Sequence, residues 1–321
     1  MKISFVPKVV NYKKSSVRIV YYHIISNNNP EYYFPNKALG VEDFRRQIKF
    51  FKKNFQVIKL DEALNLAFEG KSLKNKLVIT FDDGFKENYS VIAPILDEEK
   101  ISATFFIISS CLDNKDLMWR NKVLLFEKYK TEDIRNVLYG LSEDFNLPKV
   151  KENQSILEWS FSAWPMNIKE DIVNRLWELA MPMKISEYLE KHTPYCTSKE
   201  VKELHDSGFG IGSHSHTHPI FSKLTYEDFS DEILTCASRL SSIIGDDVFT
   251  FSYPFGNRAS KDFEDKFHAM QPNNWTLLGT KNRLNNFANN FKEWERDNIE
   301  YTNFQMKIRF LYLPIYRSLN H

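Results

Sequence analysis

Lys76-Leu77-Val78-Ile79-Thr80-Phe81-Asp82-Asp83-Gly84 is the stretch on which the reading of the chain turns. Its apolar, partly β-branched run reads as a buried strand. The run ends in two adjacent carboxylates and a glycine. Like charges side by side at the end of a buried strand are costly unless a cation or a proton offsets them. Strand C-termini are also where α/β folds place their chemistry. The pair therefore reads as Asp83 binding a metal ion and Asp82 handling a proton. The plainer alternative is a solvated Asp-Asp-Gly turn.

A second stretch weighs against that alternative. In Phe209-Gly210-Ile211-Gly212-Ser213-His214-Ser215-His216-Thr217-His218-Pro219, three of the chain's eight histidines fall within five residues. His214 and His218 are four apart and share a side on either a helix or a strand. Imidazole is the commonest metal ligand at neutral pH. Two imidazoles and one carboxylate leave an ion with open positions for water, as a catalytic site requires. A polar, His-rich loop without a metal is the alternative.

Around these stretches the chain alternates strands and helices. Val17–Tyr22 reads as a first strand ending at His23. Val41, Phe44, Ile48 and Phe51 mark an amphipathic helix. Phe55–Leu60 reads as a strand, Asp61–Phe68 as a helix stopped near Gly70, Tyr89–Glu99 as a helix and Ala103–Ile108 as a strand. Later, Thr197-Ser198-Lys199-Glu200 is a capping box opening a helix. Thr225 caps a long helix closed by Gly245. Val248–Tyr253 and Trp275–Thr280 read as strands. This β-α-β alternation argues for a parallel sheet or barrel with crossover helices. The pattern alone does not separate the two.

Residues 112–193 break the alternation with helical spacings, as in Trp119, Val123 and Phe126 and in Ile172, Leu176 and Leu179. They predict a helical insertion. Its aromatic residues read mostly as a small helical core, with Trp119-Arg120 as the candidate contact to a substrate.

Three motifs in order carry a resemblance. Thr80-Phe81-Asp82-Asp83-Gly84 with Ala103-Thr104-Phe105-Phe106, then His214-Ser215-His216-Thr217-His218, then Phe251-Ser252-Tyr253-Pro254-Phe255-Gly256 are similar to the motifs of the polysaccharide deacetylase family, the NodB-homology or carbohydrate esterase family four group. The resemblance covers residues 18–110 and roughly 194–280. It implies a single domain over 1–321 with an α/β fold, a distorted (β/α) barrel of seven strands interrupted by the insertion at about 112–193. It also implies a metal-dependent carbohydrate N-deacetylase acting on an N-acetylated sugar. In that reading Asp83, His214 and His218 hold a divalent ion, Zn²⁺ first and Co²⁺ or Ni²⁺ as alternatives. Asp82 is then the general base, and the Phe255 backbone N–H faces the oxyanion. His23, at the end of the first strand, is a candidate acid or supporting residue.

The chain departs from the family in two places. Ser252 stands where the third motif usually carries an arginine that orients the base, with Arg258 or Arg120 as possible replacements. No motif histidine appears near Leu277-Leu278-Gly279-Thr280, so Asp82, His23 or His216 must return the proton to the leaving amine, with His268 a weaker candidate. These departures keep a non-catalytic carbohydrate-binding protein open as an alternative. A non-haem iron oxygenase shares the ligand set, and an N-deformylase would share the whole machinery.

Composition bounds the rest. Hydrophobic content of 42% suffices for a core, and a net charge of +1 gives no bulk attraction to nucleic acid. Cys111, Cys196 and Cys236 form no metal-type spacing, which fits free thiols in a reducing compartment. With no signal peptide read at Met1–Lys14, a cytoplasmic location is expected. The substrate would then be a precursor of a surface glycan. Residues 301–321 mix basic and large apolar side chains, an amphipathic extension expected to pack on the barrel or to touch the inner membrane face.

Overall fold

The computed structural model describes residues 16–129, 134–271, 274–286, 293–300 and 305–306. Most of the C-terminal extension expected at 301–321 lies outside the described residues; Met306, which is among them, is buried. The strands are β1 (Ser16–Tyr22), β2 (Gln56–Val57), β3 (Lys76–Phe81), β4 (Thr104–Ile107), β5 (Gly210–Ser213), β6 (Thr250–Ser252), β7 (Thr276–Gly279), β8 (Asn285–Asn286), β9 (Glu293–Glu295) and β10 (Asp297–Asn298).

These strands form an α/β barrel. The wall runs β10-β1-β3-β4-β5-β6-β7-β9, and every pairing along it is parallel. Its two ends are joined by the chain itself, because β9 and β10 are separated only by Arg296. With β9 and β10 taken as one interrupted strand, the wall has the seven strands expected. The register sets Tyr22 beside Phe81 and Phe81 beside Phe105, so the residues that follow each strand emerge at one rim. His23, Asp82–Asp83, Ser109, His214–His218, Pro254–Gly256 and Glu300 all follow strand C-termini there.

The pleat sorts the strand residues into two clusters. Leu77, Ile79 and Phe81 of β3 pack with Phe44, Ile48 and Phe51 of the helix Val41–Asn54 and with Phe229 and Ile233 of the helix Tyr226–Ile244. Val78 instead packs with Val17, Ile19, Phe106, Leu278 and Trp294, and with the helix Leu60–Phe68. Asp82 continues the parity of Val78 and Thr80, and Arg296 that of Trp294. The inward face of the wall therefore carries both charges to the same level.

Local boundaries differ from expectation for physical reasons. The strand expected over Phe55–Leu60 is only Gln56–Val57, and Leu60 already opens a helix with Asp61 and Glu62 in its first turn, where the helix dipole favours acids. The helix expected over Tyr89–Glu99 begins with a π-turn at Asn88–Ile92, because Pro94 has no N–H to continue an α-helical ladder. The caps at Thr197, Thr225 and Gly245 form as read.

Between β4 and β5 the helices Trp119–Tyr129, Ile134–Asp144, Ile156–Ala163, Lys169–Ala180 and Ile185–His192 share a second hydrophobic cluster around Trp119, Trp159, Trp164 and Trp177. Most of the insertion's aromatic residues are therefore core. Among the described residues, no helix is long and apolar enough to cross a membrane.

Candidate metal centre and active site

Asp83, His214 and His218 converge as the spacing suggested. Their ligating atoms lie within 4.8 Å of one another, and all three residues are buried. Asp83 Oδ1 is 3.3 Å from His214 Nε2 and 3.4 Å from His218 Nε2. That oxygen has no hydrogen-bond partner, an expensive state for a buried carboxylate that a bound cation removes. The His214 ring is fixed from behind, where its Nδ1–H donates to the Ser252 carbonyl oxygen at 2.8 Å. This leaves Nε2 as the lone-pair nitrogen facing Asp83, as metal-ligating histidines require. Burial pushes the His218 imidazole down to about 4, so it is neutral and ligand-ready at pH 7.

The backbone is bent to achieve this. Asp83, Ser215, His218 and Phe255 all adopt positive φ, uncommon for residues with a Cβ, and the four meet at this rim. Gly256 shares the feature at φ 64°, and a Cβ there would come 1.9 Å from Thr280 Oγ1. The Ser215 hydroxyl accepts the His218 N–H at 2.9 Å, and the Trp119 indole donates to the His218 carbonyl at 2.8 Å. Trp119 is wholly buried and holds the loop at 214–218 through this bond, so it offers no surface to a substrate, contrary to expectation. From the same insertion, Lys169 Nζ donates to Thr217 Oγ1 at 2.6 Å.

Asp82 is held by a residue the motifs did not disclose. Arg296 Nη1 and Nη2 grip its two oxygens at 2.7 and 2.8 Å. The guanidinium is fully buried, donates also to Thr80 Oγ1 at 3.2 Å, and lies over the rings of Tyr21 and Phe106. Burial alone would raise the Asp82 carboxyl, but Arg296 overrides it and keeps it below its ordinary value. Arg296 thus does what an arginine at position 252 was expected to do. Neither candidate replacement does so. Arg258 is engaged with Glu264 at 2.9 Å and Glu295 at 3.3 Å, and Arg120 lies over the Phe255 ring. The hydroxyl of Ser252 fills the space left, 3.4 Å from Asp82 Oδ1.

His23 is paired in the same manner. Its Nδ1 lies 2.9 Å from Glu300 Oε2, and its own N–H donates to Glu300 Oε1 at 2.7 Å. Burial opposes its charge, but Glu300 more than compensates and lifts the imidazole to about 9, with Asp83 and Asp82 adding to the pull. It is therefore an imidazolium at neutral pH. His216 is engaged differently, with Nδ1 2.8 Å from Ser109 Oγ, and His268 packs on Phe267 in the helix Lys261–Met270. In the Pro254-Phe255-Gly256 turn the backbone bonds run from Gly256 to Tyr253 and from Asn257 to Pro254. The Phe255 N–H takes no part in them.

Sequence reasoning missed Arg296 and Glu300, which hold Asp82 and His23. The only signal was the alternation around Trp294, in a segment with no apolar run.

The polysaccharide deacetylase family model matches residues 69–136 and 167–270, more than half of the chain. A poly-β-1,6-N-acetyl-D-glucosamine N-deacetylase of Staphylococcus aureus is 32% identical over 170 residues, covering 47% of this chain and 59% of that protein. The chain thus spans under two thirds of that relative's length. Among solved structures, the Streptococcus pyogenes deacetylase PplD in complex with acetate superposes with a TM-score of 0.60 at 14% identity, covering 93% of this chain and 99% of that one. IcaB from Ammonifex degensii gives 0.59 at 15% identity, covering 93% and 98%. At these identities the structures speak to the fold, and the family model speaks to descent: the chain belongs to the polysaccharide deacetylase family.

Proposed function

We propose that the chain is a metal-dependent hydrolase that removes the N-acetyl group from an amino sugar of a surface polysaccharide or of its nucleotide- or lipid-linked precursor. The observation that carries this reading is the pairing of an ionised Asp82, locked by Arg296, with the Asp83–His214–His218 group beside it. The donor set suits Zn²⁺, with Co²⁺ or Ni²⁺ able to take the same positions. When bound, such an ion supplies Lewis acidity to a carbonyl and acidifies water.

The chain's own residues divide the remaining work. Asp82 accepts the proton of the attacking water on a carboxylate oxygen that Arg296 keeps ionised. The Phe255 N–H donates to the carbonyl oxygen as negative charge develops on it. His23, already protonated through Glu300, delivers its proton to the leaving nitrogen as the C–N bond breaks. Acetate and a free amine leave. Arg296 supplies the guanidinium that Ser252 does not, which supports the catalytic reading over the non-catalytic alternative. The substrate class follows the named relative, whose polymer is N-acetylglucosamine.

The test is acetate release, followed by NMR, from N-acetylglucosamine oligomers and sugar phosphates incubated with the zinc-loaded protein. Wild type is expected to release acetate and Asp82→Asn essentially none. Formate release from N-formyl sugars with none from N-acetyl sugars would replace the reading with an N-deformylase. No acyl release from either, with zinc bound, would reject it.

A further inference from the structure

Arg120 is the cation at this site that the protein leaves unanswered. Arg296 is paired with Asp82, Arg258 with Glu264 and Glu295, Lys122 with Asp116, and Lys169 with Glu170. Among the described residues Arg120 makes no ion pair and no hydrogen bond; its contact is the face of the Phe255 ring, 5.9 Å from the guanidinium carbon. That ring in turn packs edge-on against His218, centroid to centroid 4.5 Å. Arg120 is also held in place, since the preceding residue, Trp119, is pinned to the His218 carbonyl. Burial pushes the Arg120 guanidinium below its ordinary value, with Asp83 and Tyr33 pulling the other way.

Only the Phe255 ring face and the field of Asp83 and Tyr33 offset this placement. A half-buried, unpaired guanidinium forfeits hydration, and a cation in the first turn of the helix Trp119–Tyr129 opposes the helix dipole. Of the nearby carboxylates, Asp82 is taken by Arg296 and Glu300 by His23, and Asp83 Oδ1 faces the two imidazoles of the proposed metal centre. With a divalent ion in place, the mouth of the site carries excess positive charge, and a planar guanidinium is the group best shaped to meet a phosphate.

We propose that Arg120 is a specificity residue that binds a phosphate group carried by the amino sugar close to its N-acetyl group. This rests on the deacetylase reading and narrows it. Nucleotide- and lipid-linked precursors carry phosphate on the sugar, whereas a finished neutral polymer does not. The substrate favoured by this site is therefore the phosphorylated precursor.

The experiment compares binding of N-acetylglucosamine, N-acetylglucosamine 1-phosphate and a nucleoside-diphosphate N-acetylglucosamine by calorimetry. It uses wild type, Arg120→Met and Arg120→Lys, each with and without zinc. Methionine keeps the packing volume against Phe255 while removing the charge. Wild type is expected to bind the phosphorylated sugars about tenfold or more tighter than the neutral one. Arg120→Met should bring that ratio near one, and Arg120→Lys should restore part of it. The metal-free protein should retain the preference. A preference that survives in Arg120→Met, that vanishes without zinc in wild type, or that is absent from wild type overturns the proposal. Acetate release is scored separately. Release without a phosphate preference defeats only this inference, and an Arg120-dependent preference without release defeats only the deacetylase reading.

Discussion

The two side-chain oxygens of Asp82 are gripped by the two terminal nitrogens of Arg296, at 2.7 and 2.8 Å, across 214 residues of sequence. The pair links the end of β3 to the single residue between β9 and β10. The residue that closes the barrel is thus also the one that keeps the proposed base ionised.

Replacing Arg296 should therefore show itself as a pH effect. Asp82 accepts a proton only when ionised, so activity appears as pH rises through its pKa. Burial pushes that value up once the guanidinium is gone. Arg296→Gln is expected to move the acidic limb of kcat/KM to higher pH and to lower the rate at pH 7 by about 100-fold or more. Breaking one side of a buried pair also costs about 3–5 kcal/mol, so Arg296→Lys serves as the milder variant and should move the limb less. An acidic limb that stays put in both folded variants would contradict the assignment.

Glu300 sets the opposite limb. His23 in the folded protein sits at about 9, above the ordinary imidazole value of about 6.5. Its proton is present through neutral pH and is lost as pH rises through 9, so a rate that needs the acid form falls there. Glu300→Gln removes the largest charge holding the proton. The alkaline limb should drop to about 6.5 or below, leaving activity at pH 6 less affected than at pH 8. A limb still near 9 in Glu300→Gln would assign it to another group.

The insertion should matter to the metal without touching it. Trp119→Phe loses the bond to the His218 carbonyl, and Lys169→Met loses the bond to Thr217. Each is expected to weaken ion binding by about tenfold, measured by competition with a chromogenic chelator. Equal affinity in both variants would reduce the insertion to packing.

Within the turn at Pro254–Gly256, position 256 has no room for a side chain. Gly256→Ala would place a Cβ 1.9 Å from Thr280 Oγ1 at a backbone φ of 64°. The expected cost is about 1–3 kcal/mol of stability, read as a lower midpoint in urea. A matching loss of kcat should follow, because the Phe255 N–H shifts.

The convergence of Asp83, His214 and His218 was legible because each motif is local. His214 and His218 are four residues apart, and Asp83 follows closely on the largely apolar strand β3. Helix caps at Thr197, Thr225 and Gly245 were legible for the same reason. Arg296 and Glu300 were not. They reach Asp82 and His23 only through the register of the closed wall, and β9 and β10 are too short and too polar to announce a strand. Trp119 shows a subtler limit: helical spacing marks it as apolar, but only the folded geometry shows its N–H aimed at His218.

The central claim is that Asp83, His214 and His218 form a metal centre. The most direct test is the divalent-ion content of the purified protein by mass spectrometry, with wild type beside a His214→Ala/His218→Ala variant. About one ion per wild-type chain, lost in the variant while the fold persists, is the predicted result. A wild type that takes up no zinc, cobalt or nickel on reconstitution would contradict the account and leave Asp82-Asp83-Gly84 a structural turn.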